Sequence, residues 1–325
     1  MYPLQRNRRL RASESIRALV REYQLSADDF LAPVFVENGK GKKTEIPSMP
    51  GYYRYSLDVL PQEINALWQL GIKGVLVFVK EKEALKDNTG AAAIAPDGLM
   101  QRAIKTIKNT QPQMLILTDV ALDPYSSYGH DGIVVDGKIV NDPTVELLAQ
   151  MAATHIEAGA DGVAPSDMMD GRVLKIRQCF EANGWDNALI MSYSAKYASS
   201  FYGPFRDALD SAPGFGDKKT YQMDFANQKE ALVEAKRDID EGADIIMVKP
   251  GLAYLDIVSQ LAQNITAPIA VYQVSGEYAM LKAAAKQGWL DHQPVMLEQL
   301  VAFKRAGAAI IATYHAKEAA QLIGG

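Results

Sequence analysis

"NDPTVELLAQMAATHIEAGADGVAP" (Asn141–Pro165) holds one complete unit of the fold. Asp142 is expected to cap a helix, with Pro143 at its first position. Val145, Leu148, Met151, Ala152 and Ile156 then fall on one helical face. Gly159 suits the left-handed position that closes a helix. Three residues later a short apolar run begins, "GVAPS" (162–166).

The same ending recurs at Gly71, Gly242 and Gly307, each time as helix, glycine, short turn and buried strand. Apolar runs of strand length fall at 31–36, 74–79, 114–120, 162–166, 188–193, 244–249, 268–274 and 309–315. These runs are nearly continuous rather than alternating, the pattern of parallel strands covered on both faces. Eight strands alternating with helices predict a (β/α)8 TIM barrel of the α/β class. An open doubly wound sheet is the competing architecture, but no glycine-rich dinucleotide fingerprint follows the first strand.

Bulk properties narrow the function. The 325 residues carry a net charge of −5, with 48% apolar and 22% charged residues. That is an ordinary globular composition, without the basic excess that nucleic acid or an anionic membrane surface would select. No apolar stretch reaches the roughly 20 residues that span a bilayer. The basic N-terminus, "MYPLQRNRRLRASESIRALVREY", lacks the apolar segment of a secretory signal, so a cytoplasmic location is expected. Cys179 is the only cysteine, which excludes an intrachain disulfide and a thiolate zinc cluster. Its helical context, "VLKIRQCFEA", predicts a small buried hydrophobe.

Two segments exceed a minimal barrel. Residues 1–30 are arginine-rich and read either as an arm on a neighbouring subunit or as a solvated tail; 31–325 form the barrel domain. Residues 197–228 follow the fifth strand, and an insertion of that length predicts an active-site lid.

Chemistry enters with two lysines. "IIMVKPG" (245–251) is a buried strand that stops at Lys249, and "LIMSYSAK" (189–196) is an apolar run that breaks at Lys196. Barrel active sites lie at the C-terminal ends of the strands, so both amines are expected at the mouth on neighbouring strands. A lysine of ordinary pKa, about 10.4, is protonated at neutral pH and cannot attack a carbonyl. Burial and a second cation lower that value, and the free amine then condenses with a ketone. Spacing alone thus predicts a lysine-dependent barrel enzyme acting on a carbonyl. A Schiff-base aldolase and a non-catalytic binding barrel remain as alternatives.

The wording of the motifs adds more. "MVKPGLAYLD" (247–256), "SYSAKYASSFYGPFRDA" (192–208), "APSDMMDGRV" (164–173) and "YQVSGEYAM" (272–280) resemble those of the δ-aminolevulinic acid dehydratase, or porphobilinogen synthase, family. The resemblance runs from "RNRRLR" to "ATYHAKE", nearly the whole chain. It implies the asymmetric condensation of two 5-aminolevulinate molecules to porphobilinogen, with loss of two waters, in tetrapyrrole biosynthesis. It also implies that Lys249 forms the Schiff base with the P-side substrate and that Lys196 serves the A side. Ser275 and Tyr314 would hold the P-side carboxylate, and Arg206 and Gln222 the A-side carboxylate, with Lys218 where some relatives carry arginine. Tyr202 and Phe205 would form the apolar face of the lid, and Asp119 would be an active-site carboxylate suited to proton transfer.

The stretch after the third strand, "TDVALDPYSSYGHDG" (118–132), offers Ala121, Asp123 and Asp131 where zinc-dependent relatives have cysteines. Alanine cannot ligate, and carboxylates prefer hard cations. The expectation is therefore no catalytic zinc, with Asp123 and Asp131 as ligands for a possible active-site ion. The resemblance further implies an allosteric magnesium ion on Glu234 and a homo-octamer embraced by N-terminal arms.

Overall fold

In the computed structural model, residues 3–209, 214 and 216–324 are described. Eight parallel strands form the barrel: β1 (Phe30–Glu37), β2 (Gly74–Lys80), β3 (Leu115–Val120), β4 (Gly162–Pro165), β5 (Leu189–Lys196), β6 (Ile245–Lys249), β7 (Ile269–Gln273) and β8 (Ile310–Thr313). They pair in chain order, and β8 closes on β1 through Phe30 with Ile311 and Leu31 with Ala312. The (β/α)8 barrel read from the sequence is the observed fold.

Helices α1 (Leu60–Gln69), α2 (Leu99–Thr110), α3 (Asn141–Glu157), α4 (Arg172–Ala182), α5 (Lys229–Asp240) and α6 (Leu255–Asn264) follow β1 to β6 in turn. Two helices, α7 (Ser275–Lys286) and α8 (His292–Ala306), follow β7, and α9 (Ala316–Ile323) follows β8. Short strands at Lys43–Glu45 and Tyr53–Tyr55 extend the sheet beside β1.

The strands are continuous apolar runs because both faces are covered. Val75 to Val79 of β2 are all buried, alternately inside the barrel and beneath the helices. The repeated glycine stop has a backbone cause. Gly71, Gly159, Gly242 and Gly307 have φ of 85°, 104°, 106° and 115°, a region that side chains with a Cβ rarely enter. Gly162 is required for a different reason: a Cβ there would lie 2.5 Å from the Leu189 carbonyl oxygen, so only glycine lets β4 and β5 approach.

Several details depart from expectation. The first strand begins at Phe30, inside the segment read as the arm. Lys196 is the last residue of β5 rather than a residue beyond it. Helix α3 starts at Asn141 with Val140 at its cap, so Asp142 does not cap it and Pro143 sits inside the first turn. Backbone N–H groups of a first turn have no partner within the helix, so proline is tolerated there and does not fix the start. Cys179 is half-buried against the core rather than enclosed by it.

The segment 197–228 has its own structure, a 3-10 turn at Ser200–Tyr202 and a helix at Gly203–Leu209; residues 210–213 and 215 lie outside the described residues. Before β1, a 3-10 turn at Asn7–Arg11 and a helix at Glu14–Leu19 bury none of their residues. Met1 and Tyr2 of that segment, and Gly325, are outside the described residues. Among the described residues no helix is long and apolar enough to cross a membrane.

Candidate active site

Strands β5 and β6 deliver Lys196 and Lys249 as Cα partners at their C-terminal ends. Neighbouring backbones in a sheet lie about 4.8 Å apart, so the two amines share one floor. A register irregularity between Ile246 and Val248 changes the course of β6 just before Lys249.

Lys249 is 5% exposed. Its Nζ lies 4.6 Å from the ring centre of Tyr272, 4.8 Å from Phe205, 5.1 Å from Tyr193 and 5.3 Å from Tyr202. Aromatic faces attract a cation, but they cannot replace a hydration shell. Burial, reinforced by the positive charge of Lys196, pushes the Lys249 ammonium down to about 7. The lysine is thereby poised to lose its proton at neutral pH.

Lys196 has different neighbours. Its Nζ donates to the Ser166 carbonyl oxygen and lies 3.5 Å from Asp131 Oδ2. Asp131 also accepts from Lys218 Nζ at 2.6 Å, and the same ammonium reaches Asp123 Oδ2 at 3.3 Å. Burial opposes the charge of Lys218, but Asp123 and Asp131 outweigh it and hold the ammonium above the ordinary lysine value. Asp131 is likewise buried, yet Lys218 and Lys196 hold its carboxyl below the usual range. Asp119, at the end of β3, goes the other way: burial, followed by the charge of Asp123, pushes it up to about 7. Its Oδ1 is buried and makes no hydrogen bond.

Residues of the 197–228 segment pack over this floor. Phe205 enters the aromatic cluster of the mouth, 5.2 Å from the Phe78 ring and 5.8 Å from Phe35. Its backbone N–H donates to Ser275 Oγ at 2.9 Å, and Tyr202 donates to the Tyr197 carbonyl at 2.7 Å. A Cβ on Gly276 would lie 2.4 Å from the Phe201 carbonyl oxygen, so glycine permits the lid to rest on the start of α7.

The structure brings Asp119, Asp123, Lys196, Tyr202, Phe205, Arg206, Lys218, Gln222 and Lys249 around one cavity of about 30 Å3. That is room for a water or two. Roomier hollows lie elsewhere; the site is marked by convergent buried charge rather than by size. Ser275 and Tyr314 are not among the residues lining this cavity: Ser275 accepts from Phe205 N, and Tyr314 stacks on Phe35 with its hydroxyl 2.9 Å from that of Tyr272. Glu234 is not brought to this centre. It lies on α5 beside a separate hollow of about 450 Å3, shared with Asp170, Asp224 and Glu230.

Sequence reading missed Tyr193 and Tyr272, which wall Lys249, and Ser166, which receives Lys196. Tyr193 lies three residues before Lys196 in the quoted strand, a weak signal by itself. It missed Glu277 as well, whose carboxylate accepts from Leu252 N at 2.6 Å and Val274 N at 2.7 Å. Those bonds tie the turn after Lys249 to the end of β7.

Comparison with known proteins agrees with this geometry. Residues 4–322 match the family model described as delta-aminolevulinic acid dehydratase. The chain is 52% identical to the delta-aminolevulinic acid dehydratase of Methanothermus sociabilis, over 98% of each chain. It is 49% identical to that of Bacillus subtilis (strain 168), over 97% of each. Among solved structures, the porphobilinogen synthase of Toxoplasma gondii ME49, in complex with the reaction product porphobilinogen, superimposes with a TM-score of 0.97. That match has 49% identity and covers 99% of this chain and 92% of the other. The chain belongs to the delta-aminolevulinic acid dehydratase family.

Proposed function

We infer that the protein is a hydro-lyase that condenses two 5-aminolevulinate molecules to porphobilinogen, releasing two waters, in tetrapyrrole biosynthesis. The observation that carries this reading is the buried, ring-walled Lys249 beside a second lysine, in a chain of this family. As the neutral amine, Lys249 Nζ adds to the keto carbon of the P-side substrate. The carbonyl oxygen leaves as water once protonated, and the bond that remains is the Schiff base, an electron sink for the next step. Asp119, whose carboxyl retains its proton up to about pH 7, is suited to deliver that proton. Lys196, beside Asp131, serves the A-side substrate.

The carboxylate contacts follow from position. Ser275 opens helix α7, where first-turn N–H groups favour an anion, and the Tyr314 hydroxyl lies against that of Tyr272. Arg206, Gln222 and Lys218 face the A side of the cavity. Tyr202 and Phe205 exclude water when the lid is shut.

We assign the chain to the aspartate-rich, magnesium-type branch. Ala121 offers no ligand, and Asp123 and Asp131 already share the Lys218 ammonium. That donor set fits no zinc ion, and we assign the local positive charge to Lys218 rather than to an active-site metal. The carboxylates beside Glu234 are hard oxygen donors, and Glu234 is raised above the usual range by burial. This hollow suits an allosteric magnesium ion. The exposed apolar side chains Leu4, Leu10 and Leu19 support an arm that covers a neighbouring subunit in a cytoplasmic octamer.

The decisive experiment is borohydride reduction in the presence of 5-aminolevulinate, followed by peptide mapping. The expected result is a substrate adduct on Lys249. An unmodified Lys249 in protein that still turns over would overturn the reading.

A further inference from the structure

Away from the catalytic cavity, His292, His315 and Glu318 converge from three elements. His292 opens α8, His315 follows β8, and Glu318 lies on α9. One ligand atom from each lies within 4.8 Å of those of the other two. His315 is fully buried, and neither of its ring nitrogens has a hydrogen-bond partner; His292 Nε2 has none either. The Glu318 carboxylate is divided between two tasks. Its Oε1 accepts from the Lys282 ammonium, while its Oε2 lies 3.6 Å from His292 Nε2 and 3.6 Å from His315 Nδ1. Those two separations are too long for hydrogen bonds.

We propose that His292 Nε2, His315 Nδ1 and Glu318 Oε2 bind a divalent transition ion of the zinc class, leaving a fourth position for water. In a tetrahedral site, with bonds of about 2.0–2.2 Å, adjacent donors stand about 3.4 Å apart. Two of the three donor–donor edges are therefore nearly at that length before any ion arrives. The third requires the imidazoles to close, from ring centres 5.2 Å apart at 62°. His292 can supply that movement, because it is the partly exposed first residue of its helix.

The donor chemistry selects the ion. Two imidazoles and one carboxylate suit zinc, copper, nickel or cobalt, whereas magnesium prefers oxygen ligands and water. Lys282 fixes the orientation of the carboxylate but places a second positive charge beside the ion, which limits affinity. The Tyr278 ring packs 4.5 Å from the His315 ring, tilted by 37°. The site is a structural tie: it would pin α9 and α8 to the end of β8, one residue after Tyr314. This site is separate from the aspartates at the barrel mouth and from Glu234.

The test uses the full chain, stripped with EDTA and titrated with Co2+ alone. The expected result is one tightly held equivalent with a visible absorption band of nitrogen-ligated tetrahedral cobalt, displaced by Zn2+ and unaffected by excess Mg2+. His292→Gln should weaken Co2+ binding at least about tenfold, while leaving the melting temperature of the metal-free protein unchanged. Lys282→Met should strengthen binding several-fold, a gain that a merely damaged fold cannot give. Absence of such a band, or equal Co2+ affinity in the parent and His292→Gln, would overturn the proposal.

Discussion

Lys249 and Lys196 are Cα partners at the ends of adjacent strands, yet one faces four aromatic rings and the other faces a carbonyl and a carboxylate. Around Lys249 nothing compensates an ammonium fully, so the free amine becomes accessible at neutral pH. Around Lys196 the chain has built a charge network, Asp131–Lys218–Asp123, in which each buried ion has a counterion. Two residues of one type, less than two strand widths apart, thus receive different electrostatics. A nucleophile needs its charge removed, whereas Lys196 stands beside partners that an ammonium can use.

The strongest way to break this comparison is Lys249→Met. Turnover should fall by at least about 10⁴-fold, since no other group supplies the covalent step. The same variant should be more stable by about 1–2 kcal/mol at pH 7, because a methionine fits the ring-lined pocket without losing hydration. The pH dependence gives the sign. Folding lowers this lysine from 10.5 to about 7, so between those values the unfolded chain binds more protons. The parent should therefore gain stability as pH rises through that window, with the full cost of burial present below it. Thermal denaturation from pH 6 to 10 should show that slope in the parent and lose its Lys249 share in the variant.

Lys196→Met is the counterpart. Turnover should drop by about 10²–10⁴-fold, the range for losing one lysine that acts on the A-side substrate. Here stability should fall, by about 1–3 kcal/mol, because the buried Asp131 loses one of its two counterions and the Ser166 carbonyl its donor. Borohydride should still trap substrate on Lys249. If Lys196→Met stabilised the protein as Lys249→Met does, the contrast between the two sides would be wrong.

The pH profile sharpens the contrast. The acid limb of kcat/KM should lie near 7, where Lys249 sheds its proton, with activity rising toward higher pH. Removing Lys196 takes away a cation that depresses Lys249, so the limb of the slow variant should move to higher pH. An unmoved limb would separate the two lysines electrostatically.

The smallest effects belong to the lid and to the A side. Phe205→Ala should raise KM about tenfold by letting water reach Lys249. Asp123→Asn should cost about 1–3 kcal/mol of stability by weakening the hold on Lys218, seen as a lower melting temperature.

Much of the barrel was legible because its signals are local. A glycine after an amphipathic helix, at Gly71, Gly159, Gly242 and Gly307, states a backbone angle that no other residue takes cheaply. Runs such as Val75–Val79 state that both faces of a strand are covered. The start of α3 was misplaced by comparison, because first-turn positions tolerate Asn141, Asp142 and Pro143 alike. The two lysines could be placed at the mouth because a strand end is a sequence position. Their partners could not be found in this way. Tyr193 and Tyr272 lie on different strands and meet Lys249 only when the barrel closes. Asp131 and Lys218 are separated by 87 residues and pair only when the lid segment folds back.

The order of residues by itself determined the strand–helix alternation, the glycine-closed turns, the amines at the strand ends and, through long motifs, the family. Only the tertiary structure decided which amine is desolvated among rings and which is paired, and it alone brought His292, His315 and Glu318 together from three elements. The reason is range: backbone angles and apolar periodicity act over a few residues, whereas desolvation and charge pairing depend on whatever the finished fold places within a few ångströms.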